Sequence, residues 1–261
     1  MNTTRGGWST LPSESERAQH NRKVLVGLVA GGVLFALVVA VCVGVVARDL
    51  TKDFIGTARP VQDASQVPVA NQLPAAPAGV TDNGAIRIGD PGAKVTVRVV
   101  ADLQCPACQM FEKANAKVLE EAVTSGSAAV EYNVISFLDR ASTSQYSSRA
   151  GNASYCVAEA DPSKYQAWLA TMFEQQPAEG GDGLPDDRLI ELARDAGYTD
   201  SAVAQCITDR KYDPYLRAKT KEILASGIKS TPSVFVNGQQ VTEAKLLFAP
   251  DGLGSLVTAA R

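Results

Sequence analysis

Apolar positions change their spacing several times along the chain, and each spacing predicts a different kind of element. Residues 24–47 form an apolar run without a single charged side chain. About 20 apolar residues span a bilayer as a helix, whereas the apolar region of a secretory signal has roughly 7–15. No A-x-A cleavage pattern ends this run. The sequence therefore predicts that residues 24–47 are an uncleaved transmembrane anchor.

The segments on either side of the run are polar and predict no packed core. Residues 1–23 show no clear period and are expected to be a disordered tail, and residues 48–84 form a Pro/Ala-rich tether that cannot sustain a helix. Four Lys and Arg residues precede the run, and three lie in the dozen residues after it. This excess weakly favours a cytoplasmic N-terminus, which would place the remainder of the chain outside the cytoplasm.

From residue 85 onward the spacing of apolar residues is that of a globular α/β domain. The segment "AIRIG" is a short strand candidate, and residues 94–103, "KVTVRVVADL", are typical of a strand that is covered on both faces. Residues 106–123 predict a helix, and a proline is well tolerated in its first turn. Its expected buried stripe consists of Phe111, Ala114, Val118, Leu119 and Ala122. Residues 128–137 predict the next strand, so the order is β, β, α, β.

A long helical section follows, from about residue 142 to residue 226, and the glycine-rich segment 180–185 interrupts it. Within this section Trp168 and its apolar neighbours at helical spacing are expected to be core residues. The strand pattern returns in "PSVFV", and Asn237-Gly238 predicts a hairpin turn. Asp251 is expected to cap a last helix.

Composition and charge exclude several classes of function. A net charge of −3 gives no reason to expect nucleic acid as a partner. A zinc site needs four ligands, but the chain has one C-x-x-C pair, and its single histidine, His20, precedes the apolar run. Attachment of haem would require a histidine directly after the second cysteine, where Gln109 stands. Neither a metal nor another cofactor is expected.

The cysteine pair in "DLQCPACQMF" instead predicts redox chemistry. Cys105 is expected just before the helix and Cys108 in its first turn, directly after a buried strand. Backbone N–H groups and the helix dipole favour negative charge at that position. Cys105 should therefore be the more exposed thiol with the lower pKa, and its thiolate can attack a disulfide.

A second motif, "GIKSTPSVFVNG", places Thr231-Pro232 directly before a strand, far along the chain from the cysteine pair. With "DLQCPAC" after a valine-rich strand and a helical insertion of about 85 residues between the motifs, residues 85–261 resemble the DsbA-like branch of the thioredoxin superfamily. The resemblance implies a thioredoxin fold, thiol–disulfide exchange through Cys105 and Cys108, and a cis Pro232 that faces them. It also implies that the backbone of Thr231 pairs with an extended substrate as an added strand.

The sequence departs from the family at two positions. Many thioredoxins carry a buried acid six residues before the first cysteine, where this chain has Val99, so Asp102 is the nearest acid and a candidate for proton handling. The alternative is that Asp102 only caps the helix. Pro106-Ala107 replaces the Pro-His of DsbA, which predicts a reduction potential between about −270 mV, the value for thioredoxin, and about −120 mV, the value for DsbA.

Cys156 and Cys206 both lie in the helical section, away from any C-x-x-C partner. In an oxidising compartment two such cysteines usually pair, so we expect a structural disulfide, the alternative being two buried thiols. Cys42 would then remain in the predicted anchor, where a thiol behaves as a small apolar group.

The expected protein is a single-pass membrane thiol–disulfide oxidoreductase that acts on exported proteins. The resemblance also implies a quinone-linked membrane oxidase as the partner that restores the Cys105–Cys108 disulfide. Two alternatives remain open at this point. One is a reductase or isomerase of the same fold, and the other is a non-catalytic module that binds unfolded chains near Pro232.

Overall fold

The computed structural model describes residues 75–260. The predicted tail 1–23, the predicted anchor 24–47 and residues 48–74 of the tether lie outside these described residues. Within 75–260, no helix has both the length and the apolar character needed to cross a bilayer.

A five-stranded sheet forms the centre of the described domain, in the order β1-β3-β2-β4-β5. The strands are β1 (Ile86–Ile88), β2 (Val95–Ala101), β3 (Ala128–Val134), β4 (Ser233–Val236) and β5 (Gln239–Gln240). β2 and β3 are parallel, whereas β1 pairs antiparallel with β3 and β4 pairs antiparallel with both β2 and β5. Asn237 and Gly238 both have positive φ and form the turn between β4 and β5, the backbone conformation that this dipeptide predicts.

Helix α1 (Pro106–Thr124) connects the parallel strands β2 and β3, which cannot be joined by a short turn. It starts with Pro106 in its first turn and Cys105 at the N-cap. Its buried face differs from the predicted stripe. Glu112 and Asn115 are buried, whereas Ala114 and Val118 are only partly buried. Because Glu112 and Asn115 are polar, the pattern of apolar residues alone did not show which face of the helix is buried.

Five helices lie between β3 and β4 and form the predicted insertion. They are α2 (Tyr146–Ala160), α3 (Tyr165–Glu174), α4 (Asp186–Asp195), α5 (Ser201–Thr208) and α6 (Asp213–Ala225), with short 3-10 helices at Phe137–Ala141 and Pro162–Lys164. Trp168, Met172 and Phe173 are buried core residues of α3, as their helical spacing predicts. Cys156 on α2 and Cys206 on α5 are joined by a disulfide with an S–S distance of 2.03 Å and a Cα–Cα distance of 5.8 Å.

Several predictions about the ends of elements are wrong. Strand β2 covers Val95–Ala101 rather than residues 94–103. Strand β3 ends at Val134 rather than at residue 137, because Phe137 begins a 3-10 helix. Asp251 does not cap the last helix. The two C-terminal helices are α7 (Ala244–Phe248) and α8 (Gly254–Ala259), and α8 has no side-chain cap. Asp251 lies in a left-handed conformation, and its N–H donates to the carbonyl of Ala114 at 2.7 Å.

Candidate active site

The register of the sheet brings the two predicted motifs together. Strand β2 leads into the cysteine segment, and β4 begins directly after Pro232. Because β2 and β4 are antiparallel and Val100 is paired with Ser233, the end of β2 lies beside the start of β4. The thiol of Cys105 consequently lies 3.4 Å from the carbonyl oxygen of Thr231, to which it donates. The Thr231–Pro232 peptide bond is cis.

Cys105 is positioned by a turn followed by the first turn of α1. The N–H of Cys105 donates to the carbonyl of Asp102 at 3.0 Å, which closes the turn from Asp102 to Cys105. The carbonyl of Cys105 accepts from the N–H groups of Cys108 and Gln109, at 3.0 and 3.2 Å. The Cys105 side chain therefore lies at the N-terminus of a long helix, where the backbone N–H groups of Ala107 and Cys108 face its sulfur.

The two thiols have opposite electrostatic environments. The pKa of Cys105 is lowered to about 6, first because the Cys108 thiol donates a hydrogen bond to its sulfur. A hydrogen bond from the Thr231 side chain and the backbone N–H groups of Cys108 and Ala107 act in the same direction, whereas burial opposes them. Burial and the proximity of the Cys105 sulfur raise the pKa of Cys108. Cys105 is 8% exposed and Cys108 is 1% exposed, so Cys105 is the more accessible residue. Its lower pKa also makes it the thiol of the pair that ionises first.

Asp102 is fully buried behind the cysteine segment. One carboxylate oxygen accepts from the N–H of Gln104 at 2.9 Å and from the hydroxyl of Ser147 at 2.6 Å, and the other accepts from the N–H of Leu138 at 2.8 Å. Burial raises its pKa to about 6 against the effect of these hydrogen bonds. None of these three donors belongs to α1, so Asp102 does not cap that helix. Its carboxylate can take up a proton near neutral pH.

Sequence reasoning missed a second buried acid, Glu112, which follows Cys108 by four residues on α1. Side chains at this spacing lie on the same helix face. Glu112 is 4% exposed, and burial raises its pKa to about 7. Among residues 75–260, no hydrogen-bond or ion-pair partner of its carboxylate is found. The only available signal in the sequence was its helical distance from Cys108.

This arrangement suits nucleophilic exchange at sulfur. A thiolate at a helix N-terminus attacks a disulfide, and a second thiol one helical turn later can close the ring and release the partner. The cis-proline loop beside Cys105 offers backbone groups at the point of attack. The disulfide between Cys156 and Cys206 joins α2 to α5 within the insertion.

Most of the described domain matches the model of a known protein family. The thioredoxin family model matches residues 81–249, which is well over half of the 261-residue chain.

Two solved structures from Mycobacterium tuberculosis are similar over the same domain. The reduced disulfide bond oxidoreductase DsbG is 33% identical, with a TM-score of 0.58, and the alignment covers 67% of this chain and 86% of DsbG. Reduced DsbA is 33% identical, with a TM-score of 0.55, covering 68% of this chain and 99% of DsbA.

A curated relative is the serine/threonine-protein kinase PknE of Mycobacterium tuberculosis, which is 34% identical over 130 residues. That alignment covers 48% of this chain but only 23% of the length of PknE. The thioredoxin fold with a helical insertion that the sequence predicts is confirmed by these comparisons.

Proposed function

The chain belongs to the thioredoxin family and to its DsbA-like branch of thiol–disulfide oxidoreductases, and from this premise we propose that it introduces disulfides into exported proteins through Cys105 and Cys108. The observation that carries the proposal is the opposite environment of the two thiols. Contacts that stabilise the Cys105 thiolate stabilise the reduced form of the pair. A stable reduced form makes the corresponding disulfide a stronger oxidant.

In the proposed reaction the chain starts with a Cys105–Cys108 disulfide. A substrate thiolate attacks the sulfur of Cys105, a mixed disulfide forms, and Cys108 leaves as a thiolate. The second substrate thiolate then attacks the substrate sulfur of the mixed disulfide, and Cys105 leaves as a thiolate. The substrate loses two electrons and the enzyme pair gains them. Because Cys108 has a raised pKa, it takes up a proton on leaving.

We propose that the buried acids near the pair donate this proton to the Cys108 thiolate. Asp102 has a pKa of about 6, and its position directly before the cysteine turn makes it the first candidate. Reverse transfer, from Cys108 to a carboxylate, is needed when the reduced pair is reoxidised, since Cys108 must then be a thiolate.

The loop before β4 is the proposed substrate-binding element. The carbonyl of Thr231 already accepts from the thiol of Cys105, so a substrate cysteine bonded to Cys105 would be held next to the backbone of Thr231. An extended substrate segment can pair with that backbone as an added strand, while Pro232 offers no donor of its own. Binding of this kind uses hydrogen bonds to the main chain of the substrate, so substrates with many different sequences could bind.

The compartment and the partner follow from the same proposal. The disulfide between Cys156 and Cys206 supports an oxidising environment for the domain. We place it outside the cytoplasm, held at the membrane by residues 24–47 with residues 1–23 in the cytoplasm and residues 48–84 as a tether. Electrons collected from substrates would pass to a quinone-linked membrane oxidase, which restores the Cys105–Cys108 disulfide.

The direction of electron flow is tested by comparing two reactions of the full-length chain in detergent micelles. We expect faster oxidation of a reduced, unfolded protein than reduction of insulin, and loss of both reactions in Cys105→Ser. Reduction of insulin as the dominant reaction would identify a reductase instead. Retention of binding to unfolded chains by Cys105→Ser, with no turnover by the wild-type chain, would identify a binding module.

A further inference from the structure

The segment 173–178, which ends α3 and follows it, is attached to the cysteine segment by three glutamine side chains. We call this segment the strap. Gln109 donates to the carbonyl of Phe173 at 2.6 Å, and Gln104 donates to the carbonyl of Ala178 at 3.4 Å. Gln176 donates in the opposite direction, from the strap to the cysteine segment. The helical insertion is thus hydrogen-bonded directly to the redox site.

Gln176 makes the contact that bears on the chemistry. Its side-chain nitrogen donates to the carbonyl of Leu103 at 3.1 Å and to the carbonyl of Cys105 at 3.0 Å. An amide NH2 group has two donors, so a single side chain satisfies both carbonyls. These two carbonyls lie on either side of Gln104, in the turn that leads from the end of β2 to α1. Gln176 therefore holds that turn from outside.

The conformation of this turn determines which groups face the Cys105 sulfur. The N–H groups of Ala107 and Cys108 contribute to stabilising the thiolate, and they belong to the first turn of α1. The Cys105 carbonyl that accepts from Gln176 also accepts from the N–H groups of Cys108 and Gln109. Movement of this carbonyl would therefore change the first helical turn and the alignment of its N–H groups with the sulfur.

We propose that Gln176 is a positioning residue that holds the Leu103–Cys105 backbone in the geometry in which the first turn of α1 solvates the Cys105 sulfur. The side chain reaches no reacting atom and acts only through the backbone. This role rests on the proposed function, since it matters for exchange only if Cys105 is the attacking and leaving thiol. It makes the insertion part of the redox site rather than a separate subdomain.

Three variants of the full-length reduced chain test the proposal, with the pH dependence of Cys105 alkylation as the readout. Gln176→Met keeps a side chain of similar length but removes both donors. We expect the pKa of Cys105 to rise by about half a unit, a threefold change in the acid dissociation constant. Gln176→Glu turns a carboxylate toward two carbonyl oxygens and adds a negative charge, so the rise should be larger.

The Gln109→Met variant distinguishes a specific effect of Gln176 on the Leu103–Cys105 backbone from a general weakening of the contact between the strap and the cysteine segment. It removes a hydrogen bond between the same two segments but no donor to the Leu103 or Cys105 carbonyls. Its Cys105 pKa should stay within about 0.2 unit of the wild-type value, as should that of the control Gln175→Met at an exposed neighbouring position. Thermal midpoints are measured alongside, because a purely structural role would lower the midpoint without moving the pKa.

The redox equilibrium with glutathione provides the second readout. Loss of thiolate stabilisation should make Gln176→Met less oxidising, by up to about threefold in the equilibrium constant. An unchanged Cys105 pKa in both Gln176 variants would overturn the proposal, as would an equal shift in Gln109→Met. A wild-type chain that fails to oxidise substrates would contradict the proposed function, while a Gln176-dependent pKa would still establish the positioning role.

Discussion

The thiol of Cys105 donates to the carbonyl oxygen of Thr231 across 3.4 Å, although the two residues are 126 positions apart in the chain. Antiparallel pairing of β2 with β4 creates this contact, because Val100 and Ser233 are register partners near the ends of the two strands. The whole helical insertion lies between them in sequence. The redox site is therefore assembled by the sheet, and the insertion contacts it through the strap.

Removal of the disulfide in the insertion should destabilise the domain without disabling the cysteine pair. The bond closes a loop with a sequence separation of 50, which is worth about 4 kcal/mol in the chain-entropy model. We expect Cys156→Ala/Cys206→Ala to lower the free energy of unfolding by about this amount, as measured by urea unfolding of the full-length chain. A Cys105→Ala/Cys108→Ala chain is the matched control. Equal unfolding midpoints for the two double variants would contradict the structural role of the bond.

Glu112 should make stability fall as the pH rises. Burial raises its folded pKa to about 7 from the ordinary value of 4.5, so the folded state holds a proton that the unfolded state releases. Stability is then greatest below about pH 4.5 and declines up to about pH 7, by a total of about 3 kcal/mol. Glu112→Gln cannot ionise and should gain most of this difference at pH 8, with little change at pH 4.

The comparison for that prediction is Glu120→Gln, which changes an exposed glutamate on the same helix. Urea unfolding at the two pH values should give Glu120→Gln the wild-type pH dependence. A wild-type pH dependence in Glu112→Gln as well would show that the Glu112 carboxylate is solvated in the folded protein.

Asp102→Asn should lower the pKa of Cys105. The Cys105 thiolate raises the pKa of Asp102, and two negative charges disfavour each other equally in both directions. An amide removes the charge and keeps an oxygen to accept from Gln104 and Ser147. This effect depends on an ionised Asp102, and in the wild-type chain Asp102 is mostly ionised above about pH 6.

Thiolate absorbance of the reduced chain gives the measurement, with Asp195→Asn as an exposed control. A higher Cys105 pKa in Asp102→Asn would mean that Asp102 acts mainly by holding the turn through its hydrogen bonds. Proton handling by Asp102 would then lose its support.

Cys108→Ser should trap mixed disulfides with substrates. In this variant Cys105 keeps its reactivity, but no second sulfur is available to displace the bound substrate. Non-reducing electrophoresis of the chain incubated with an oxidised client should show a reducible adduct, and Cys105→Ser should show none. Adducts formed by the Cys105→Ser variant would assign the attacking role to Cys108.

Local patterns in the sequence were sufficient to predict where Cys105 and Cys108 lie relative to strand β2 and helix α1. A buried strand followed by Cys-Pro at a helix start places Cys105 at the N-cap, because the valine run and the proline each act over a few residues. Asn237-Gly238 predicted the hairpin turn for the same reason. Features of this kind depend on neighbours in the chain and need no knowledge of the tertiary structure.

Features that depend on distant partners could not be predicted in the same way. Asn115 is buried because its amide donates to the carbonyl of Leu247 at 2.8 Å and accepts from the N–H of Leu253 at 3.0 Å. The apolar stripe of α1 gave no indication of this polar site. In the sequence, Gln176 is likewise one of several polar residues that follow a helix. Only the packing of the insertion brings its side chain to the backbone of Leu103 and Cys105.

The ionisation of Cys105 is the most direct test of the whole account. The measurement is the rate of alkylation of the reduced full-length chain across pH, with the modified peptide identified by mass mapping. We expect modification at Cys105 with a midpoint of about pH 6 and no modification of Cys108 while the protein is folded. A midpoint at about 8.5, the ordinary value for a cysteine thiol, or a Cys105 that does not react at all, would contradict it.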